Sequence, residues 1–260
     1  MKMMRSKAVL FTAVILLASS CAHEAVRGRP LNWSASRQMV LVTTADWRAN
    51  TGTLRTFEQS KGHWQAVGEP APVTIGRAGS AWGIGLHPAQ PGPSKAEGDG
   101  RAPAGVFAIG TSFGYAASTN TTLPYAAMSA TDYCVDVSGS PLYNQLVDTR
   151  DVGLDAIAGS TEPMRRDLHA DGDQRYKLGW VIEHNPQGRA GAGSCIFAHL
   201  WKAPGETTSG CTAMAEPVMQ RLLAWLRPEA QPVFVLLPDA EFARLKRSWN
   251  LPEFAGGPAH

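Results

Sequence analysis

Ser194-Cys195-Ile196-Phe197-Ala198-His199-Leu200-Trp201 alternates in a way that only a strand explains. Successive strand side chains point to opposite faces, so Ile196, Ala198 and Leu200 share one face and Phe197, His199 and Trp201 the other. A polar turn, Thr207-Thr208-Ser209-Gly210-Cys211-Thr212, follows closely, and then Pro217 stands well as the first residue of a helix. In that helix Val218, Leu222, Trp225 and Leu226 recur at helical spacing, and Pro228 ends it. A strand carrying one histidine thus leads into a loop carrying one cysteine.

Outward from this stretch the same grammar repeats. Met39 to Thr43, Leu54 to Glu58 and Val73 to Gly76 are short runs rich in β-formers, bounded by Asn50-Thr51-Gly52, Lys61-Gly62 and Gly79, and they read as an antiparallel meander. Pro88 to Pro103 is dense in Pro, Gly and charge and reads as a loop, after which Gly105 to Gly110 is strand-like. Leu178 to His184 and Val233 to Leu237 read as buried strands, and Asp239 is expected to cap a last helix reaching about Trp249. Neither an internal repeat nor a linker is visible after residue 36. The expected fold is a single mainly β domain with a few helices, of α+β class, over residues 37–260.

Composition narrows the function classes. The 260 residues are 44% hydrophobic and 18% charged, with Gly 26 and Pro 18, which suits a loop-rich globular domain and not a coiled coil or a disordered chain. The net charge of +2 depends on Lys2, Arg5 and Lys7; without them 21 cations face 22 carboxylates. No basic stripe is left for a nucleic-acid backbone.

The first residues read as an export signal: cations in 1–7, an apolar run from Ala8 to Leu17, then small side chains before Cys21. Ten residues span about 15 Å as a helix, half of a hydrocarbon core. Ala18-Ser19-Ser20-Cys21 resembles a bacterial lipobox, with Ala18 where Leu is usual, and implies a lipid on Cys21; cleavage without lipidation is the other reading. Ala22 after Cys21 favours the outer membrane. Residues 1–20 are thus expected to be a signal peptide and residues 21–36, which show neither strand nor helix period, a flexible tether.

Chemistry centres on sulfur. With no CxxC and no paired His spacing among Cys21, Cys134, Cys195 and Cys211, a zinc site is not expected; nor do His169, Asp171 and Asp173 have the spacing of a calcium loop. In an oxidising compartment, three cysteines besides Cys21 leave at least one unpaired. Cys211 is the odd one by context: Gly210 lets the backbone approach closely and aim amides at an oxyanion, and a nearby imidazole would lower the thiol pKa by several units. A His199/Cys211 dyad, a disulfide at Cys211, and two side chains that never meet are all compatible with the spacing. A bond between Cys134 and Cys195 would close roughly 60 residues, worth about 4 kcal/mol on the chain-entropy argument. Spacing does not establish that they meet.

Phe197-Ala198-His199-Leu200-Trp201 followed by Thr208-Ser209-Gly210-Cys211-Thr212-Ala213-Met214 resembles the signature of the L,D-transpeptidase catalytic domain, the YkuD type and its ErfK/YbiS-like branch. The blocks Lys95 to Phe107, Phe113-Gly114-Tyr115, Cys134-Val135-Asp136, Ser140 to Asn144 and Gly191 to Ser194 extend the resemblance from about residue 39 to 237. It implies a mixed β-sandwich, no cofactor, and a cysteine acyltransferase of the cell wall. Cys211 would attack the L-centre carbonyl of diaminopimelate in a tetrapeptide stem, and His199 would move the protons. Backbone amides at Gly210 and Cys211 would hold the oxyanion.

The chain departs from the common pattern at Ser209, where His is usual, at Ala213, where Arg is usual, and in a short His-to-Cys spacing. The Ser209 hydroxyl is expected to orient the imidazole, and Arg101 is a candidate for the missing cation. Asp99, Arg101, Tyr115, Asn144 and Trp201 are candidate substrate contacts; a solvated turn for the first two, and structural hydrogen bonding for Tyr115, Asp136 and Asn144, are the other readings. His184 reads as a structural histidine. The expected partners are peptidoglycan stem peptides and, through the lipid, a membrane, with the domain a monomer in the periplasm. A peptidoglycan-binding lipoprotein without turnover is the alternative. A papain-like peptidase is disfavoured because there the Cys precedes the His.

Overall fold

The computed structural model describes residues 32–254. The signal peptide, Cys21 and most of the expected tether lie outside them.

The chain builds β1 (Gln38–Thr44), β2 (Thr51–Ser60), β3 (His63–Thr74), β4 (Ser80–Trp82) and the long β5 (Ala102–Gly114). Then come β6 (Tyr125–Ala127), β7 (Asp132–Cys134), β8 (Leu146–Asp148), α1 (Thr149–Val152), β9 (Glu162–Pro163) and α2 (Arg166–His169). The last third holds β10 (Leu178–Ile182), β11 (Phe197–Leu200), β12 (Thr212–Met214), α3 (Glu216–Trp225), β13 (Val233–Pro238) and α4 (Asp239–Leu245). The fold is mainly β, of α+β class.

One sheet dominates, in the order β10-β11-β12-β3-β2-β1-β13-β5-β4. It closes on itself because β5 is long enough to pair twice: Gly105 to Ala108 face β13, and Ile109 to Gly114 face β10. Closure removes the unpaired edges that an open sheet would present. β1 lies between parallel β13 and antiparallel β2, and all seven of its residues are buried, as expected of a strand covered on both faces. At Gly105 a side chain is excluded, since a Cβ would stand 1.8 Å from Nε2 of His87. Between β5 and β10 the chain leaves the main sheet to form the small sheet β8-β7-β9. A disulfide from Cys134 of β7 to Cys195 ties that excursion to the segment before β11.

Several boundaries move; β5, for one, starts at Ala102, inside the loop read as Pro88 to Pro103, and runs on to Gly114. The expected tether ends earlier, because Trp33 is buried and packs edge-to-face on Trp249 at 5.4 Å, while the Arg37 amide bonds to Ala230. A lone aromatic anchor has no period and so no signature in the hydrophobic pattern. Trp33→Ala is expected to cost about 3 kcal/mol, read as a fall in the urea midpoint; an unchanged midpoint would restore the tether to residue 36. β3 begins at His63, ten residues before the strand read from composition, because its first part is largely exposed and interrupted by Pro70 and Pro72. The last helix stops at Leu245, and Asp239 lies in its first turn with Pro238 at the cap position.

Candidate functional site

β11 and β12 run parallel, Ala198 opposite Thr212 and His199 opposite Ala213. Parallel partners share a face, so Ala213 projects on the His199 side, and Cys211, two residues before Ala213 and just ahead of β12, falls on that side as well. Phe113, Tyr176, Phe197, Cys134 and Cys195 fill that side around the sulfur. The opposite face, with Ile196, Ala198 and Leu200, enters the main core.

Cys211 is a free, buried thiol. Its sulfur accepts the Phe197 amide at 3.3 Å and directs its own proton to the Cys195 carbonyl at 3.6 Å. Neither bond goes to His199. Burial, and next the charge of Glu162, push the thiol up to about 12, against the Phe197 amide. The expected lowering by an imidazole is therefore reversed, because the thiol sits in a buried pocket and the ring does not bond to it. His199 lies 2.6 Å through Nδ1 from the Leu200 carbonyl. A carbonyl only accepts, so Nδ1 carries the proton and Nε2 keeps its lone pair, without a hydrogen bond. Tyr176 packs edge-on to the ring at 5.2 Å. Burial pulls the imidazole down to about 4, so the resting pair is neutral thiol and neutral imidazole.

The loop before Cys211 is held by Thr208, whose Oγ1 donates to the Cys211 carbonyl at 2.7 Å and accepts the Gly210 amide at 3.1 Å. That amide, expected in an oxyanion hole, is committed within the loop. Gly210 lets the loop pass close to β5, since a Cβ there would lie 3.0 Å from the Arg101 carbonyl. The Ser209 hydroxyl accepts from Nη1 of Arg77 at 3.1 Å; it does not orient the imidazole.

Cys211 opens on a cleft of about 250 Å³ walled by Arg77, Lys95, Glu97, Asp136 and Glu162, with Ser194 to Ile196 and Ser209 to Cys211 beside them. None of the five expected substrate contacts lines it. The Arg101 guanidinium donates to the Ser80 carbonyl at 2.9 Å, and Asp99 binds Lys95 at 2.6 Å and the Arg101 amide at 2.9 Å. The Tyr115 hydroxyl donates to the Asp173 carbonyl, and Trp201 lines a separate groove with Arg175 and Lys202. Asn144 donates to the carbonyls of His184 and Asn185 and accepts the Cys195 amide, bracing the backbone beside the cleft. For Asp99, Arg101, Tyr115 and Asn144, main-chain partners or neighbouring charges take the polar groups a ligand would need.

Sequence reasoning missed Arg77, Glu162, Thr208 and Tyr176. Glu162 is half-buried and accepts from the Tyr176 hydroxyl at 2.7 Å and from Arg166 at 3.2 Å; desolvation raises its pKa. His184 accepts the Ile84 amide at Nδ1 and donates from Nε2 to Ala192, and burial takes it too down to about 4. Cys134 and Cys195 are bonded, 5.9 Å apart at Cα. Among the described residues no three of His, Cys, Asp and Glu are placed to hold a metal ion, and no helix is long and apolar enough to cross a membrane.

The two neutral rings make stability depend on pH. Folded, they protonate only near pH 4; unfolded imidazoles do so near 6.5. In that window the unfolded chain binds the extra protons, so the contribution is whole above about pH 6.5 and is lost as pH falls, on the order of 3 kcal/mol per ring. Glu162 and Glu183, raised by burial, oppose this in the acid part of the window. The slope of urea stability between pH 7 and 5 is therefore compared with that of His199→Asn, which should be flatter; equal slopes would mean that His199 is not held neutral.

No family model matches the chain, and no curated protein matches it. Among solved structures it is similar to the structure of Bdellovibrio bacteriovorus Bd1075, at 12% identity and a TM-score of 0.36, over 83% of this chain. The chain spans 55% of that structure's length, in a superposition too loose to define a shared fold.

Proposed function

We propose that this protein is an exported cysteine acyltransferase of the cell wall, an L,D-transpeptidase or L,D-carboxypeptidase acting on peptidoglycan tetrapeptide stems and held to a membrane by a lipid on Cys21. The observation that carries the reading is a free thiol at a cleft, on the same sheet face as an imidazole whose Nδ1–H is tied to a carbonyl and whose Nε2 is left as a base. The sequence resemblance through His199 and Cys211 supports it.

In this mechanism the bound stem places its carbonyl against Cys211. The sulfur attacks as its proton passes to Nε2, so no free thiolate accumulates in the buried site. The C–N bond breaks, D-Ala leaves with the proton from His199, and a thioester remains. An amine or water then donates its proton to Nε2 and takes the acyl group, restoring the thiol. The test incubates the domain with tetrapeptide muropeptides and looks by mass spectrometry for released D-Ala or a cross-linked dimer. No product from the wild-type protein would sink the reading.

A peptidoglycan-binding protein without turnover is the second reading. It is favoured by the sulfur's hydrogen bonds to main chain alone and by the committed Gly210 amide. Retention on peptidoglycan without product would select it.

A further inference from the structure

We infer that Arg77 is the carboxylate-recognising residue of the Cys211 cleft and fixes which way round a ligand lies beside the sulfur. The argument is a charge account of the cleft walls. Lys95 is bound by Asp99 at 2.6 Å and by the Ala96 carbonyl at 2.7 Å. Glu97 accepts from Ser194 at 2.6 Å and from Tyr143. Asp136 accepts from Ser160 at 2.7 Å and from the amide and hydroxyl of Thr161. Glu162 is held by Tyr176 and Arg166.

Of the two cations on the cleft walls, Lys95 is paired with Asp99 and Arg77 has no carboxylate partner: its one side-chain bond goes to the neutral Ser209 hydroxyl beside the nucleophile, and it is exposed. Its backbone is fixed there, since the Arg77 amide donates to the Thr208 carbonyl at 2.8 Å. A guanidinium with unused donors in a fork fits a carboxylate in two parallel hydrogen bonds. The other walls carry three carboxylates against Lys95, which Asp99 already holds, so Arg77 is the cation left in the cleft to meet an anionic group. Arg101, the cation expected here from the sequence, is turned away to the Ser80 carbonyl.

The acid recognised, on the acyl-transfer reading on which the peptide part of this inference rests, is a free carboxylate near the scissile bond. It is either the C-terminal carboxylate of D-Ala or that at the D-centre of the diamino acid.

The first experiment does not depend on turnover. Cys211 is alkylated at pH 9 with iodoacetate and, separately, with its neutral counterpart iodoacetamide; in both the sulfur displaces iodide. Arg77→Gln is expected to lower the iodoacetate-to-iodoacetamide rate ratio about tenfold, with the iodoacetamide rate within about twofold of wild type. An unchanged ratio overturns the inference, and so does equal slowing by both reagents, which would mean that Arg77 only shapes the loop. The second experiment compares tetrapeptide donors with both carboxylates free, with D-Ala amidated, and with the diamino acid amidated. Wild-type KM should rise for one amidated donor, naming the source, and Arg77→Gln should treat all three alike. A wild-type preference that survives Arg77→Gln overturns the inference. Absence of wild-type turnover counts against the peptidoglycan reading alone and leaves the alkylation result standing.

Discussion

Cys211→Ala is expected to abolish D-Ala release, a loss of at least about 10³-fold, with the fold intact. The sulfur is the protein's own nucleophile in the proposed reaction, and its replacement removes one small buried side chain whose hydrogen bonds are one weak acceptor and one weak donor contact to the main chain. A stability change of about 1 kcal/mol follows from that, so lost activity would not be mistaken for lost structure. His199→Asn provides the finer test. An amide nitrogen at this position can imitate Nδ1–H and keep the bond to the Leu200 carbonyl, while nothing replaces Nε2. The expected loss is about 10² to 10⁴-fold, the usual worth of general acid–base catalysis. Equal product from Cys211→Ala would end the acyl-transfer reading. Full activity in His199→Asn would move the base to another group, of which half-buried Glu162, whose charge acts on the thiol, is the candidate.

What could be read from sequence follows the range of the interaction. The alternation in Ser194 to Trp201 specifies both faces of β11, because strand sidedness is a local property, and the face it gave to Ile196, Ala198 and Leu200 is the one that enters the main core. The turn and helix after it were legible for the same reason. Closure of the sheet was not, since it requires β5 to change partners partway along, and nothing in Ala102 to Gly114 announces which strand lies on either side. The cleft repeats the lesson. Arg77 meets Ser209 across 132 residues of sequence, brought there by the bridge between Gly76 and Thr208 and the single pairing of Ala213 with Thr74. Glu162 faces the sulfur from a two-residue strand that has no periodicity to detect. Arg101, by contrast, had a persuasive sequence context and spends its guanidinium on a carbonyl of β4.

Removing the bond between Cys134 and Cys195 is expected to be the most damaging change to stability. The bridge spans 61 residues and closes the excursion that carries β7, β8, β9 and α2. On the chain-entropy argument its loss costs about 4 kcal/mol, or on the order of 10 °C in Tm for a domain of this size. The site should suffer with it. Cys134 is paired in register with Glu162, so β7 positions the acidic wall of the cleft, and the Cys195 carbonyl accepts the Cys211 thiol. One bond therefore holds the wall on one side and the nucleophile's partner on the other. Cys134→Ser with Cys195→Ser should lower Tm and reduce alkylation selectivity at Cys211, and dithiothreitol should do the same to the wild-type domain but nothing further to the double variant. Thiol titration of the denatured, unreduced domain lacking Cys21 should find one free thiol, that of Cys211. Three thiols there, or a Tm that dithiothreitol does not move, would show that packing alone keeps the excursion against the sheet.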